Sequence, residues 1–166
     1  MAIDTSNIDD RLAELGLVLP GPYPPHDPLD AVVVHGGVAR TSGQLPRDIE
    51  GRLVHPGTVG VDVTVDDAAE AARWCALNAL SVLRSEFADD GGLDRVERVL
   101  SVIGFVACSQ GFEQQAAVVD GASRLLFEVF GTAGRHTRSA VGVAALPRGG
   151  AVEIEVAVAL RMRGGR

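Results

Sequence analysis

An arginine and a glutamate that lie 15 residues apart near the end of the chain, Arg138 and Glu153, have the chemistry to act on a small carboxylate. The guanidinium of Arg138 can hold a carboxylate by two parallel hydrogen bonds, and it stays charged at any working pH. The carboxyl group of Glu153 can orient water or shuttle a proton. Because surface charge is the default for such residues, an ordinary solvated face is the alternative interpretation.

Glu153 lies in the second of two extended segments, and Arg138 directly precedes the first. The segment Ser139–Ala145 is small and β-branched, the linker 146–150 carries turn formers, and Ala151–Leu160 alternates. One face of the second segment is apolar and predicts a half-buried strand, with Val152, Ile154, Val156, Val158 and Leu160. The opposite face has Glu153, Glu155, Ala157 and Ala159. Arg138 shares its parity with Ala140, Gly142 and Ala144, whose small side chains let another surface approach closely.

A β-hairpin is predicted upstream, because Gly36-Gly37 separates two apolar runs, 31–35 and 38–42. This hairpin would place Ser42, Gly43 and Gln44 at the end of its second strand. A glycine there lets a ligand approach the backbone, whose N–H groups can bond a carboxylate. A plain strand exit before Pro46 is the alternative interpretation.

Three helices and one central strand complete the expected fold. Residues 3–17 predict a short amphipathic helix with Asn7 as N-cap, and a proline-rich arm follows. Thr64 begins a helix to about Phe87, and a ridge from Phe112 to Phe130 predicts another, ended by Gly131. The apolar run 96–107 predicts a central strand covered on both faces. The order ββαβαββ predicts an α+β fold: one mixed sheet with two helices on one face.

Composition narrows the function. The chain has 166 residues and a net charge of −7, which suits one domain and opposes a nucleic-acid partner. Cys75 and Cys108 show no metal-type spacing, and the four histidines are scattered, so we expect no metal and a structural role for Cys75. The sequence shows no charged n-region followed by an apolar h-region and no membrane-length apolar run, so we expect a cytoplasmic protein without a membrane partner.

Several motifs in the right order resemble the reactive-intermediate deaminase family (RidA/YjgF), formerly labelled endoribonuclease L-PSP. They are Arg138 with the later Leu-Pro and Ile-Glu pairs, TSGQLP at 41–46, CALNALSVL at 75–83, DRVERVLSVIGFV at 94–106 and VVDGASRLLFEVFG at 118–131. They cover about residues 31–160 and resemble a subgroup with an N-terminal helix and longer connections. We therefore expect an N-terminal helix and proline-rich arm at 1–30, a RidA-like α+β domain at 31–162 and a flexible tail at 163–166.

The resemblance implies a chorismate-mutase-like fold and a homotrimer with sites in clefts between subunits. It implies hydrolytic deamination of enamines and imines such as 2-aminoacrylate to 2-keto acids, with no cofactor because the imine is already electrophilic. The catalytic residues would be Arg138 and Glu153, whose 15-residue interval matches the family. The substrate-binding residues would be Arg138, Ser42, Gly43, Ala140 and Tyr23.

Two site positions stay open. The Gly-Pro-Tyr letters at 21–23 match a family motif whose tyrosine lines the site, but the family's interval from Ser42 lands on Leu29. Tyr23 reaches the site only if the arm loops. The family's helix-borne polar residue cannot be assigned from the sequence, and Ser123 and Asp120 are the candidates.

The spacing of the two extended segments bears on the assembly. If they form a direct hairpin turning near 148–149, Arg138 and Glu153 lie roughly 20 Å apart at about 3.3 Å per residue. Under that assumption a shared site needs the arginine of one subunit and the glutamate of the next.

Two other functions compete with deamination. One is a non-catalytic trimer, or another small-molecule enzyme, that binds a carboxylate metabolite through the same arginine. The other is an endoribonuclease, which the acidic charge and the few aromatic residues for base stacking oppose.

Overall fold

Residues 7–162 are described by a computed structural model, in which a five-stranded sheet carries two long helices on one face. The order of elements is the predicted ββαβαββ, preceded by a short helix. Their bounds are α1 Ile8–Glu14, β1 Val32–His35, β2 Val38–Thr41, α2 Val65–Glu86, β3 Val96–Ala107, α3 Gln115–Phe130, β4 Thr137–Val143 and β5 Val152–Leu160. No helix among these residues is both long and apolar enough to cross a membrane.

The sheet is mixed, with strand order β1-β2-β5-β3-β4. β3 and β4 run parallel, and the other neighbours are antiparallel. The α+β class is therefore confirmed. β4 and β5 are not neighbours, because β3 lies between them, so the assumed direct hairpin is wrong. The reason is the parallel β3–β4 pairing, which brings the chain back along β3 after α3.

The alternation of β5 is confirmed, since its five apolar side chains are all buried against the helices. The long helices pack closely on each other because α3 presents a glycine at their contact. A Cβ on Gly121 would lie 1.9 Å from the carbonyl oxygen of Ala69. The interior position of β3 is confirmed, but only one of its faces is covered by this chain. Ile103 and Phe105 are half-buried on the other, open face.

Helix ends follow the predicted caps. The Thr64 side chain accepts the backbone N–H of Asp67, and α2 ends at Glu86 with Phe87 as its C-cap. α3 begins at Gln115, three residues after Phe112, and Gly131 ends it. Asn7 caps α1, and the residues 1–6 and 163–166 lie outside the described part, so the predicted tail is not described.

The arm after α1 runs back across α2 towards the end of β2. The Ser81 hydroxyl on α2 donates to the carbonyl of Pro20. The Tyr23 ring then stacks on the guanidinium of Arg47, with 3.8 Å between the Arg47 Cζ atom and the ring centroid. The arm therefore loops back, which is the condition under which Tyr23 can reach the predicted site.

A one-residue bulge interrupts the ladder between β2 and β5. Arg40 pairs with Ala157, but Gln44 pairs with Ile154, so four steps on one side face three on the other. The buried Thr41 hydroxyl accepts the N–H of Val156 at 3.1 Å and satisfies the ladder at this point. Bulges re-aim backbone and side chains, and this one carries Ser42 and Gly43.

Replacing Thr41 by Val should destabilise the protein by about 1–3 kcal/mol, because the buried N–H of Val156 then has no acceptor. Thr41→Ser, which keeps the hydroxyl, should lose less. Urea unfolding of both variants measures the difference. Equal stability of Thr41→Val and the wild type would show that the hydroxyl does not support the bulge.

Candidate functional site

A cleft of about 410 Å³ opens where the bulge, the proline-rich arm and the turn before β5 meet. Four predicted site residues, Tyr23, Ser42, Gly43 and Glu153, lie in it together. Leu29 and Tyr23, the two candidates for one family position, both line it. The other lining residues are Pro24, Pro25, His26, Asp30, Ala31, Gln44, Leu45, Arg47, Pro147 and Arg148.

The Glu153 carboxylate lies directly against the backbone of Gly43. A Cβ at position 43 would come within 1.8 Å of Glu153 Oε1 and 2.7 Å of its Cδ atom. Only glycine leaves the carboxylate in this place. The strand contact is fixed by two hydrogen bonds between the backbones of Gln44 and Ile154, at 2.9 and 3.0 Å. Gly43 is thus required by the position of Glu153.

The Ser42 segment is held from two sides. Its N–H donates to the carbonyl of Ala31 at 2.8 Å, at the start of β1. The amide of the buried Gln44 side chain donates to the Ser42 carbonyl and to its hydroxyl, at 3.2 and 3.1 Å. The bulge is therefore a rigid wall of the cleft rather than a loose loop.

Burial raises the pKa of the Glu153 carboxyl above its usual range. The neighbouring charge of Glu155 on the same face raises this pKa further, and the positive charge of Arg47 lowers it. A carboxyl group with a raised pKa can exchange protons closer to neutral pH than an exposed one. This property suits general acid–base chemistry.

Two arginines that sequence reasoning missed surround Tyr23 in the cleft. The Arg47 guanidinium stacks on the Tyr23 ring, and Arg148 donates from Nη2 to the tyrosine hydroxyl at 3.0 Å. Burial lowers the pKa of Arg47; Tyr23 opposes this effect and the charge of Arg148 adds to it. The position of Arg47 after Pro46 was the only sequence signal, and nothing in the sequence linked it to Tyr23.

Arg138 lies in a different polar cluster, on the helix side of the sheet. Its Nη1 donates to Asp120 at 2.7 Å and to the Ser123 hydroxyl at 3.1 Å, so both candidate polar residues of α3 contact it. His136 Nε2 lies 3.0 Å from the Ser123 hydroxyl oxygen, and its Nδ1 donates to the Gly134 carbonyl. The hydroxyl of Ser123 can donate to this ring nitrogen while it accepts from Arg138. His136 was not identified from the sequence.

The two catalytic candidates lie on opposite faces of the sheet. Arg138 pairs with the buried Val102, which pairs with Val156, whereas Glu153 pairs with Phe105 on the open face. Along the strand direction, Arg138 and Glu153 are three residues apart, which is about 10 Å. Across the sheet they are two strands apart, which adds about 10 Å. One chain does not bring them together. The reason is that the two side chains lie on opposite faces of the sheet, and not that a long hairpin separates them.

Ala140 lies away from the cleft with Glu153. It is opposite Gly104 on the helix side of β4, two positions from Arg138. The residues predicted from the resemblance thus divide into two groups. One group is Tyr23, Ser42, Gly43 and Glu153, and the other is Arg138 and Ala140.

Within residues 7–162, no three His, Cys, Asp or Glu side chains are grouped so that they could hold a metal ion. Cys75 is fully buried on α2, as predicted, and its thiol contacts the Val152 carbonyl at 3.4 Å. Burial raises the pKa of this thiol well above its ordinary value. Cys75 therefore stays a protonated core residue.

A sequence model of the family described as "YjgF/chorismate_mutase-like, putative endoribonuclease" matches residues 9–154. The chain belongs to this family. The match spans the short helix, both halves of the sheet and the Glu153 segment. The expected family is therefore confirmed at the level of the YjgF family.

Relatives of this YjgF-family chain cover nearly its whole length. It is 39% identical over 160 residues to Protein TCP17 of Trypanosoma cruzi, covering 95% of this chain and 97% of the relative. The protein Atu1372 of Agrobacterium tumefaciens, of unknown function, is 39% identical, with a TM-score of 0.82 over 92% of this chain and 91% of its own. A protein of Shewanella oneidensis described as a "putative endoribonuclease" is 30% identical, with a TM-score of 0.85 over 93% of this chain and 100% of its own.

Gly43→Ala should destabilise this YjgF-family protein by about 1–2 kcal/mol, because the new methyl group displaces the Glu153 carboxylate. In a Glu153→Ala background the same change should cost clearly less, with a coupling of about 1 kcal/mol. Chemical unfolding of the four proteins of the cycle measures this coupling. Gly21→Ala is the matched control, because a Cβ there meets nothing within 4 Å. Additive effects at Gly43 and Glu153 would contradict the contact.

Glu153→Gln should raise Tm by about 1–2 °C near pH 7 and leave it unchanged near pH 3.5. A raised folded-state pKa contributes stability below the unfolded pKa, and that stability is lost as pH rises through the folded pKa. The amide variant does not undergo this loss. Melting curves across this pH range give the result, with exposed Glu113→Gln as control. A variant less stable than the wild type at neutral pH would show that the attraction of Arg47 outweighs the effects of burial and of Glu155.

Proposed function

We propose that this protein hydrolyses small 2-imino acids, such as the imine form of 2-aminoacrylate, to 2-keto acids and ammonia. The reaction would take place in clefts between the subunits of a homotrimer. The observation that supports this most is the position of Glu153. Its half-buried carboxylate, with a raised pKa, lies on the Gly43 backbone inside a cleft of small-molecule size.

The reaction needs a positioned water molecule and a route for one proton. The water oxygen adds to C2 of the imine, and Glu153 passes the proton from this water to the imine nitrogen. The carbinolamine then loses ammonia as its hydroxyl proton moves to the leaving nitrogen, and the C2–O bond becomes the carbonyl. Since an imine is already electrophilic, positioning and proton transfer supply the acceleration.

Arg138 would bind the 2-carboxylate from the neighbouring subunit. It lies on β4, an edge strand, and part of its side chain is exposed beside Ser123, Phe127 and His136. Asp120 and Ser123 contact only its Nη1, so other donors of the guanidinium are free of these two residues. Asp120 and Ser123 would hold the guanidinium ready for its ligand, and Ala140 would support the strand beside it.

The open face of the sheet supports assembly. Val141 is 45% exposed there, and Ile103 and Phe105 are only half-buried. Ala157 and Ala159 on β5 leave room for close approach of another surface. A homotrimer covers this face on each subunit and removes its apolar area from water.

RNA cleavage has less support than imine hydrolysis, although the family description includes the word endoribonuclease. The chain carries a net charge of −7, and neutralisation of phosphates by Lys and Arg dominates nucleic-acid binding. A carboxylate-binding trimer without turnover is the closer alternative, because it would use the same cleft and the same arginine.

The first experiment measures pyruvate release from freshly generated 2-aminoacrylate. We expect a rate above the spontaneous one that falls at least about tenfold in both Arg138→Ala and Glu153→Gln. Arg124→Ala is the control for Arg138, because it removes an exposed arginine that also faces Asp120 from α3. Tight binding of pyruvate by a trimer that gives no acceleration would support the binding protein instead.

Mixing the two inactive variants tests the shared site. If one site uses Arg138 of one subunit and Glu153 of the next, trimers reassembled from equal amounts should recover about a quarter of the wild-type activity. A site built within one chain recovers none, because every chain lacks one of the two residues. Light scattering of each sample establishes the trimer independently, and a monomer would overturn the shared site.

A further inference from the structure

We infer that the cleft with Glu153 selects substrates with a second acidic group, namely 2-imino dicarboxylic acids, and that Arg47 and Arg148 bind this second group. The inference rests on the proposed function for the imine and adds the class of substrate. Neither arginine belongs to the residues that the sequence analysis assigned to the site.

Two guanidinium groups line this cleft without a salt bridge to any residue in the range 7–162. Arg47 is half-buried and stacks on Tyr23, with 3.8 Å from its Cζ atom to the ring centroid. The Arg148 Cζ atom lies 5.8 Å from the same centroid, and its Nη2 donates to the tyrosine hydroxyl at 3.0 Å. The ring therefore gathers two positive charges at one end of the cleft.

The cleft has two carboxylates of its own, Glu153 and Asp30, and neither forms a salt bridge with these arginines. Asp30 is exposed on the arm. Burial lowers the pKa of Arg47 and the nearby charge of Arg148 lowers it further, whereas Tyr23 and, to a smaller extent, Cys75 and Glu153 raise it. An anion placed between the two guanidiniums relieves this repulsion. The two oxygens of a carboxylate match the geometry of an arginine fork.

Arg148 occupies a backbone conformation that favours glycine. Its φ is 58° and its ψ is 16°, in the left-handed region, and Gly149 follows it with a φ of 74°. A non-glycine residue there carries a conformational cost, and such residues concentrate at ligand-binding sites. Glycine would suit the backbone at position 148 better, so we attribute the arginine there to a role of its side chain.

Arg148→Gly is a clean test, because it removes the cation and suits the existing backbone. Calorimetric binding of 2-oxoglutarate and of 2-oxobutanoate compares a dicarboxylic with a monocarboxylic 2-keto acid. The wild type should bind the dicarboxylic acid at least about tenfold more tightly. In Arg148→Gly, and in Arg47→Gln, this preference should fall to about twofold or less, with little change for 2-oxobutanoate.

Arg52→Gln is the matched control, because it removes an arginine from the same loop as Arg47 but outside the cleft, where its partners are Asp48 and Glu50. It should keep the preference. The melting temperature of Arg148→Gly should equal or exceed that of the wild type, since the turn loses its strain. A lower melting temperature with an equal loss of affinity for both acids would mean that Arg148 only holds Tyr23, which overturns the inference.

The binding measurements separate this inference from the proposed function. Equal affinity of the wild type for both acids, or no binding of either, overturns the inference even if imines are hydrolysed. A preference that depends on Arg47 and Arg148 supports it even if no imine is turned over, in which case only the proposed reaction fails.

Discussion

Strand β5 is hydrogen-bonded to a neighbour on both sides, and this pairing fixes which of its side chains face the helices. Its valines, isoleucine and leucine are buried on the helix side of the sheet, mainly against α2, so Glu153 and Glu155 must point to the open face. A slip by one residue would bury two carboxylates and expose five apolar side chains. The position of Glu153 is therefore as firmly determined as the core itself.

The bulge at Thr41 shapes the cleft next to Glu153. One extra residue on the β2 side shifts Ser42 and Gly43 out of the ladder, and the missing backbone partner is replaced by the Thr41 hydroxyl. The absence of a side chain at Gly43 then leaves room for the Glu153 carboxylate. Stability and site geometry depend on the same few atoms, because the strand that holds the core also carries the acid.

The two polar regions of the molecule lie on opposite faces of the sheet. Arg138 lies on the helix side among Asp120, Ser123 and His136, while Glu153 lies on the open side with Arg47 and Arg148 nearby. For the proposed imine hydrolysis, each region of a single chain holds only part of the site. The proposed association of subunits rests on the edge position of β4 and on the partly apolar open face.

The sequence by itself determined the elements and the family. Thr64 and Asn7 satisfy helix N-termini, the Gly36-Gly37 pair turns the β1–β2 hairpin, and the period-2 pattern of β5 fixes its buried face, all of which are local properties. Ser42, Gly43 and Glu153 could be proposed because the resemblance preserves short motifs. The tertiary structure alone decided the pairing partner of β4, since parallel pairing through β3 depends on contacts distant in sequence. It also placed the Tyr23 ring in contact with both Arg47 and Arg148, because a proline-rich arm has no periodicity from which its course could be predicted.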